Sequence, residues 1–127
     1  MKNQTMLLNK LYTLVSFGFS EEKDKISAKI LLNREHPVFG GHFPGNPILP
    51  GVCTVQIIRE LLEKAVGKEL VLHKAASIKY LGFISPVKTS EILFDFLFKQ
   101  TDTGSFFCIA SVSAGGNVLC SFKGEYI

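Results

Sequence analysis

The side chain best suited to move a proton is a histidine at the head of a proline-rich stretch. His42 begins the sequence HFPGNPILPG, which runs from residue 42 to residue 51. Imidazole changes its charge near neutral pH, so it can accept or release a proton there. Three prolines within nine residues exclude a helix and favour a rigid turn. The stretch ends at Gly51, which has no side chain to block the free N–H groups of a helix that starts there.

A helix is predicted directly after this turn and must position it. Apolar residues recur every three or four positions from Val52 to Ala65, which predicts a helix of roughly 16 residues. Pro50 suits its first position, and Gly67 suits a left-handed cap at its end. Further apolar residues widen the apolar arc, so we expect the helix to be buried on most sides.

Strands are predicted on both sides of the helix from the alternation of apolar and polar residues. They cover residues 10–19, 26–32, 70–81, 92–98, 106–112 and 118–126. Strands around one buried helix form an α+β pattern, for which the economical arrangement is a curved antiparallel sheet wrapped around one long central helix. Because the sequence contains no internal repeat or linker, residues 1–127 are predicted to form a single domain.

Composition narrows the class of protein. Of the 127 residues 46% are hydrophobic, yet no apolar run approaches the roughly 20 residues needed to span a bilayer. The N-terminus lacks the features of a signal peptide, and Cys53, Cys108 and Cys120 show no paired spacing, so we expect a cytoplasmic protein with reduced thiols and no membrane insertion. A net charge of +3 is too weak to favour a nucleic-acid partner. No two histidines have metal-ligand spacing, so no metal and no other cofactor is expected.

The residues from His36 to Val52, HPVFGGHFPGNPILPGV, closely resemble the signature of the 3-hydroxyacyl-(acyl carrier protein) dehydratases. Residues 83–87 are similar to the segment that follows the third strand of that family, and the order of elements agrees over residues 10–126. The resemblance implies the hotdog fold, which is a curved antiparallel sheet wrapped around one long helix. It also implies a hydro-lyase that converts (3R)-hydroxyacyl thioesters into trans-2-enoyl thioesters, in fatty-acid or related polyene or polyketide synthesis.

The resemblance assigns roles to individual residues. His42 falls on the catalytic histidine, which removes a proton from the carbon next to the thioester, a task for a base that is neutral near pH 7. Gly51 falls on the glycine whose backbone N–H holds the thioester oxygen as charge builds on it. The residues expected to contact the substrate are Phe43, Pro50, Val52 and Phe83.

At one position this sequence departs from the family, which places a carboxylate fourteen residues after the histidine. That carboxylate protonates the departing hydroxyl across a dimer interface, and here the position is Gln56. An amide cannot release a proton at neutral pH, so about 3–5 kcal/mol of barrier lowering is in question. Glu60, one turn later, is the nearest stand-in, but we expect Glu60 and Glu63 to be solvent-side or end-of-helix charges.

Three functions remain open. The first is a working hydro-lyase in which His42 handles both protons while Gln56 orients the hydroxyl or a water. The second is a non-catalytic acyl-thioester-binding subunit that pairs with an active homologue. The third is an enoyl isomerase or thioesterase. We favour the first, because an idle site has no physical reason to keep His42 and its turn.

The expected partners follow from the family and from the sheet. The family implies an acyl carrier protein that delivers the thioester. An edge strand left unpaired invites pairing, so we expect a homodimer or a larger even homo-oligomer, or a heteromer with a homologue.

Three minor expectations concern other residues. His36 should cap a turn, His73 should lie at the surface, and part of the run Phe94, Phe96, Phe98, Phe106 and Phe107 could line an acyl tunnel.

Overall fold

This computed structural model describes residues 6–127. In that range the chain forms one six-stranded antiparallel sheet and two helices, joined by turns and loops. The elements are β1 Tyr12–Phe19, β2 Lys25–Leu32, α1 Val38–Gly41, α2 Gly51–Val66, β3 Leu72–Tyr80, β4 Glu91–Gln100, β5 Phe106–Ala114 and β6 Asn117–Tyr126. The strand order is β1-β2-β4-β5-β6-β3, so β1 and β3 form the two edges. The predicted α+β class and hotdog architecture are confirmed.

Helix α2 is the 16-residue helix that the apolar spacing predicts. It begins one residue later than expected, because Pro50 has extended backbone angles and serves as the N-cap. At the other end Gly67 has a φ of 74°, the left-handed conformation that glycine adopts without steric cost. Its N–H then donates to the Glu63 carbonyl oxygen and closes the helix.

The core lies between α2 and one face of the sheet. Every second residue of β2 is buried, namely Ile26, Ala28, Ile30 and Leu32, as the alternation predicts. The helix contributes buried aliphatic side chains to the same cluster, namely Ile57, Ile58, Leu61 and Leu62. Among the described residues, no helix is long and apolar enough to cross a membrane.

Strand β3 differs from the other strands in its exposure. It pairs only with β6, and most of its residues are exposed on both faces. Its last residue, Tyr80, and the following Leu81 are large apolar side chains that are more than half exposed. An edge strand with this composition offers backbone groups and apolar surface to a further strand.

Candidate active site

The turn that carries His42 is held by its own backbone. The N–H of His42 donates to the Val38 carbonyl oxygen at 3.1 Å and ends helix α1. Phe43 and Asn46 exchange two N–H···O bonds of 3.2 and 2.9 Å, and Gly45 has the positive φ of 76° that this tight turn requires. The proline-rich stretch therefore forms the rigid turn that its composition predicts.

His42 is bonded to the returning chain through both its backbone and its ring. The N–H of Ile48 donates to the His42 carbonyl oxygen at 2.9 Å, and Nδ1 of His42 lies 3.1 Å from the Ile48 carbonyl oxygen. Because a carbonyl can only accept, the proton of a neutral ring sits on Nδ1. Nε2 is then the nitrogen with a free lone pair, as a base requires. The ring also stacks on that of Phe43 at a centroid distance of 4.1 Å.

A cavity of ≈530 Å³ opens beside this ring. One hydrogen bond, from the Leu49 N–H to the Ile84 carbonyl oxygen at 2.8 Å, joins the turn to the chain segment on the opposite wall. The walls are mostly apolar and come from the turn, the start of α2, the segment after β3, and β6. They consist of His42, Phe43, Ile48, Leu49, Gly51, Tyr80, Leu81, Gly82, Phe83, Ile84, Leu119 and Cys120.

Gly51 lies at the point where the cavity meets the start of α2, and a larger residue there would require the Tyr80 ring to shift. A Cβ built on Gly51 would lie 2.7 Å from the hydroxyl oxygen of Tyr80 and 2.7 Å from the ring carbon that carries it. Among residues 6–127, no acceptor takes a hydrogen bond from the Gly51 N–H. The first N–H groups of a helix carry its positive partial charge, so this donor can hold an oxygen that becomes negative.

The structure brings four of the seven predicted site residues to this cavity and leaves three outside it. His42, Phe43, Gly51 and Phe83 line it, and Phe83 is the most open of them, with 79% of its surface exposed. Pro50, Val52 and Gln56 do not line it in the single chain. Val52 points outward with 77% exposure, and Pro50 caps the helix.

The amide of Gln56 forms a hydrogen bond within its own helix, α2. Its Nε2 donates to Oε2 of Glu60 at 2.8 Å, one turn further on. The side chain is half-buried and has no contact with the cavity of its own chain. Gln56 therefore does not reach the cavity that contains His42 in its own chain.

The prediction that Glu60 is a solvent-side charge is wrong. Its side chain is buried, with 4% of the residue exposed. Its carboxylate accepts from the backbone N–H groups of Leu7 and Leu8 at 2.8 and 3.1 Å, from the Tyr12 hydroxyl at 2.9 Å, and from Gln56. A buried carboxylate is tolerated when donors satisfy its oxygens in this way. Burial, and then the charge and hydrogen bond of Glu60, raise the pKa of the Tyr12 phenol far above its usual range.

Glu63 lies in the last turn of α2, as the end-of-helix alternative predicts, but it is not solvent-side, because only 7% of its surface is exposed. Oε2 of Glu63 accepts from the Leu70 N–H at 2.8 Å and from Nε of Arg59 at 3.4 Å. It thus binds the segment that follows α2 to the helix. Neither glutamate lines the cavity that contains His42.

Tyr80 and Cys120 are among the lining residues that the sequence analysis did not predict as part of the site. Tyr80 reaches the cavity from the end of β3, and Cys120 faces it from the paired position on β6. The pairing of β3 with β6 joins segments forty residues apart, and no local pattern specifies it. The only sequence signal is that Tyr80 lies three residues before Phe83, in a segment already predicted to follow a strand.

The remaining sequence predictions concern residues away from His42. His36 does cap a turn, because its Nδ1 accepts the Val38 N–H at 3.0 Å, and His73 is exposed. None of the five phenylalanines of the predicted tunnel lines this cavity, and Phe94, Phe96 and Phe106 lie in the core. In the described range, no three His, Cys, Asp or Glu side chains form a group that could hold a metal ion.

Three features of this site suit the removal of a proton from a carbon next to a carbonyl group. The His42 ring presents Nε2, a helix start presents a free N–H, and mostly apolar walls surround the space beside them. Such a site can take a proton from carbon while the adjacent carbonyl oxygen gains charge.

Sequence comparison identifies a family whose chemistry is of this kind. The family model described as "ApeI-like: ApeI dehydratase" matches residues 19–121. The 3-hydroxyacyl-(acyl carrier protein) dehydratase FabZ of Acetivibrio thermocellus is 34% identical over 83 residues, which cover 60% of this chain and 57% of that protein. The FabZ of Aeromonas hydrophila is 29% identical over 115 residues, which cover 84% and 74% of the two chains. The chain thus spans less than two thirds of the length of the first of these relatives.

Solved structures share the fold. The dehydratase heterocomplex ApeI:P from Xenorhabdus doucetiae contains a chain that superposes with a TM-score of 0.75 at 13% identity, over 90% of this chain and 96% of that one. A mutant thioesterase from Pseudomonas aeruginosa superposes with a TM-score of 0.61 at 15% identity, over 87% and 77%. At these identities the likeness is one of fold.

Proposed function

Because this chain belongs to the ApeI-like dehydratase family, we propose that it removes water from a (3R)-hydroxyacyl thioester of acyl carrier protein and forms the trans-2-enoyl thioester. The observation that carries the proposal is the bond between Nδ1 of His42 and the Ile48 carbonyl oxygen, which leaves Nε2 free beside an apolar cavity. The curated relatives named above are dehydratases of this reaction class.

The reaction needs two proton transfers, and in this proposal His42 performs both. Nε2 takes a proton from the carbon next to the thioester, and the thioester oxygen, held by the Gly51 N–H, takes up the charge. The electron pair then re-forms the carbonyl and makes the carbon–carbon double bond as the bond to the hydroxyl breaks. The proton on Nε2 passes to the departing hydroxyl, which leaves as water and restores the neutral ring.

Because position 56 carries an amide in place of a carboxylate, another group must protonate the departing hydroxyl. An amide can accept from the hydroxyl or from a water, but it cannot supply the proton. We assign to Gln56 of the partner subunit the orientation of the leaving hydroxyl. The proton itself then comes from His42.

The site is completed by a second subunit in this proposal. Strand β3 is an edge strand that ends at the cavity with Tyr80, so a chain paired along β3 would lie at the cavity mouth. We therefore propose a homodimer or a larger even assembly, loaded by an acyl carrier protein. A cytoplasmic setting fits the three cysteines, all of which are free thiols.

The test uses a (3R)-hydroxyacyl thioester of acyl carrier protein in deuterated buffer. Dehydration gives the absorbance of the enoyl thioester, while mass spectrometry of recovered substrate detects deuterium at the carbon next to the carbonyl. We expect both signals, and both should vanish without protein. If neither appears with aliphatic or aromatic acyl groups, the dehydratase assignment is wrong.

A second candidate is an acyl-thioester-binding subunit that depends on a homologue. One observation favours it, because the Gln56 amide is already bonded to Glu60 in its own chain. The neighbour from Xenorhabdus doucetiae is described as a heterocomplex. This candidate predicts tight binding of the thioester with no turnover, and turnover only after a homologue with a carboxylate at the matching position is added.

A third candidate activity is isomerisation of the double bond in an enoyl thioester, or hydrolysis of the thioester bond. Moving a double bond toward the carbonyl needs only a base and an oxygen-binding donor, which His42 and Gly51 provide. A 3-enoyl thioester would then be converted to the 2-enoyl isomer faster than the hydroxyacyl thioester is dehydrated. Release of free carrier-protein thiol would indicate hydrolysis.

A further inference from the structure

The hydroxyl of Tyr80 occupies the corner of the cavity where the thioester oxygen is expected. It lies 2.7 Å from the position that a Cβ of Gly51 would take. A Cβ is about 2.5 Å from the nitrogen of its own residue. The Tyr80 hydroxyl oxygen is therefore at most about 5 Å from the Gly51 nitrogen.

Both of these groups are donors without an acceptor. In residues 6–127 neither the Gly51 N–H nor the Tyr80 O–H makes a hydrogen bond. One oxygen can accept from two donors at about 2.9 Å each, and two donors separated by 5 Å or less satisfy that geometry. A single acceptor atom in this corner could accept a hydrogen bond from each of the two donors.

We propose that the Tyr80 hydroxyl is a second donor to the thioester oxygen and acts together with the Gly51 N–H. The inference rests on the proposed function, and it names a catalytic residue outside the set that the sequence predicts. No proton is transferred by Tyr80. Its hydrogen bond strengthens as the oxygen gains charge during removal of the proton by His42.

The surroundings of Tyr80 support a donor role. Partial burial, followed by the proximity of Cys120, raises the pKa of the phenol above its ordinary value, so the hydroxyl keeps its proton at neutral pH. The ring is positioned by β3, where Tyr80 pairs with Cys120 of β6, and by the absence of a side chain on Gly51.

The chemistry gives a reason for a second donor here. With Gln56 in place of a carboxylate, the departing hydroxyl receives weaker acid assistance. More of the barrier must then be lowered by stabilising the charge on the thioester oxygen. A second donor does this at the stage where the proton leaves carbon.

The test compares Tyr80→Phe, which keeps the ring and removes the hydroxyl, with Tyr126→Phe. Tyr126 is a buried tyrosine of β6 that lies outside the cavity, and its hydroxyl has no hydrogen-bond partner among residues 6–127. We expect kcat for dehydration to fall tenfold or more in Tyr80→Phe, because loss of one donor to an oxyanion typically costs about 10²–10³ in kcat. KM should change little, and Tyr126→Phe should keep the wild-type kcat.

A second measurement detects the hydrogen bond from Tyr80 to the thioester oxygen by infrared spectroscopy. A saturated hexanoyl thioester of acyl carrier protein, labelled with ¹³C at the carbonyl, cannot react, and its infrared carbonyl band moves to lower frequency when donors bind the oxygen. We expect a smaller shift with Tyr80→Phe than with the wild type. Unchanged band and kcat in a folded Tyr80→Phe, with an active wild type, would overturn the inference alone. A wild type that neither binds nor converts any thioester would overturn the proposed function and this inference with it.

Discussion

The chemistry of His42 depends on a single backbone carbonyl. By accepting from Nδ1, the Ile48 carbonyl oxygen fixes which nitrogen carries the proton and which is free to act. The same bond and the stacking on Phe43 hold the ring in one orientation. A base that is already oriented lowers the barrier without reorganising at each turnover.

Replacing His42 by Ala should abolish both dehydration and deuterium exchange. The free energy of unfolding should fall by only about 1 kcal/mol, because the half-buried ring makes one hydrogen bond. Enoyl absorbance and thermal unfolding measure the two effects. The control is His73→Ala, at an exposed position of β3, and it should change neither. Exchange that persists in His42→Ala would place the base elsewhere.

Gln56→Glu should create a carboxyl group beside an existing carboxylate. Nε2 of Gln56 lies 2.8 Å from Oε2 of Glu60, so the new pair would share one proton and its first pKa would rise toward neutrality. A protonated carboxyl at position 56 can act as the missing acid in the partner's cavity, so we expect at least a tenfold gain in dehydration rate, worth about 1.4 kcal/mol.

The same variant should become pH-sensitive. A carboxyl whose folded pKa is raised is most compatible with folding when protonated, so the free energy of unfolding should fall as pH rises from 5 to 8. Urea titrations at the two pH values measure this. Gln100→Glu, at an exposed end of β4, is the matched control and should show no such slope. Unchanged rates in a folded Gln56→Glu would favour the binding-subunit candidate.

At the scale of elements, Glu60 joins three parts of the chain. Its carboxylate binds the backbone of Leu7 and Leu8 and the hydroxyl of Tyr12 to the middle of α2. An amide at this position has one acceptor oxygen and would turn its own N–H groups toward existing donors. We expect Glu60→Gln to lower the free energy of unfolding by about 2 kcal/mol, as judged by chemical denaturation.

A surface glutamate provides the comparison for that measurement. Glu69 is exposed just after α2, so Glu69→Gln changes the same charge without removing a buried acceptor. Its free energy of unfolding should stay within about 0.5 kcal/mol of the wild type. Equal effects of the two variants would contradict a structural role for Glu60.

The sequence was informative wherever a local pattern determines the structure. The alternation in β2, the spacing in α2 and the glycine at position 67 each predict an element that is present. The burial of Glu60 was not predictable, because its donors lie about fifty residues earlier in the chain. Tyr80 was missed for a similar reason, since only the pairing of β3 with β6 brings it to Gly51.

At the scale of the whole molecule, the proposed assembly would use one of the two edges of the sheet. β3 ends at the cavity, whereas β1 lies at the far edge. Ile78 of β3 and Val15 of β1 are apolar side chains with 37% and 52% exposure, so one substitution can be compared on both edges. The proposal that Gln56 of the partner subunit reaches the site requires pairing along β3, the edge that ends at the cavity.

We expect Ile78→Lys to convert the assembly into monomers, because a charged side chain on a pairing edge disfavours strand addition. Dehydration should be lost with it. Light scattering at micromolar concentration gives the mass, and Val15→Lys should leave both mass and rate unchanged. A monomeric Val15→Lys with an intact assembly of Ile78→Lys would move the interface to β1.

The contact between Gln56 and Glu60 also bears on the evolution of this chain. Each single change is disfavoured, since Gln56→Glu brings two acids together and Glu60→Gln leaves buried donors unpaired. Because the two side chains share a hydrogen bond, the effects of changes at the two positions should not add, and a lineage that acquires an acid at position 56 meets a stability barrier. That barrier tends to keep descendants at glutamine, and it favours acquiring catalytic help from a different part of the cavity.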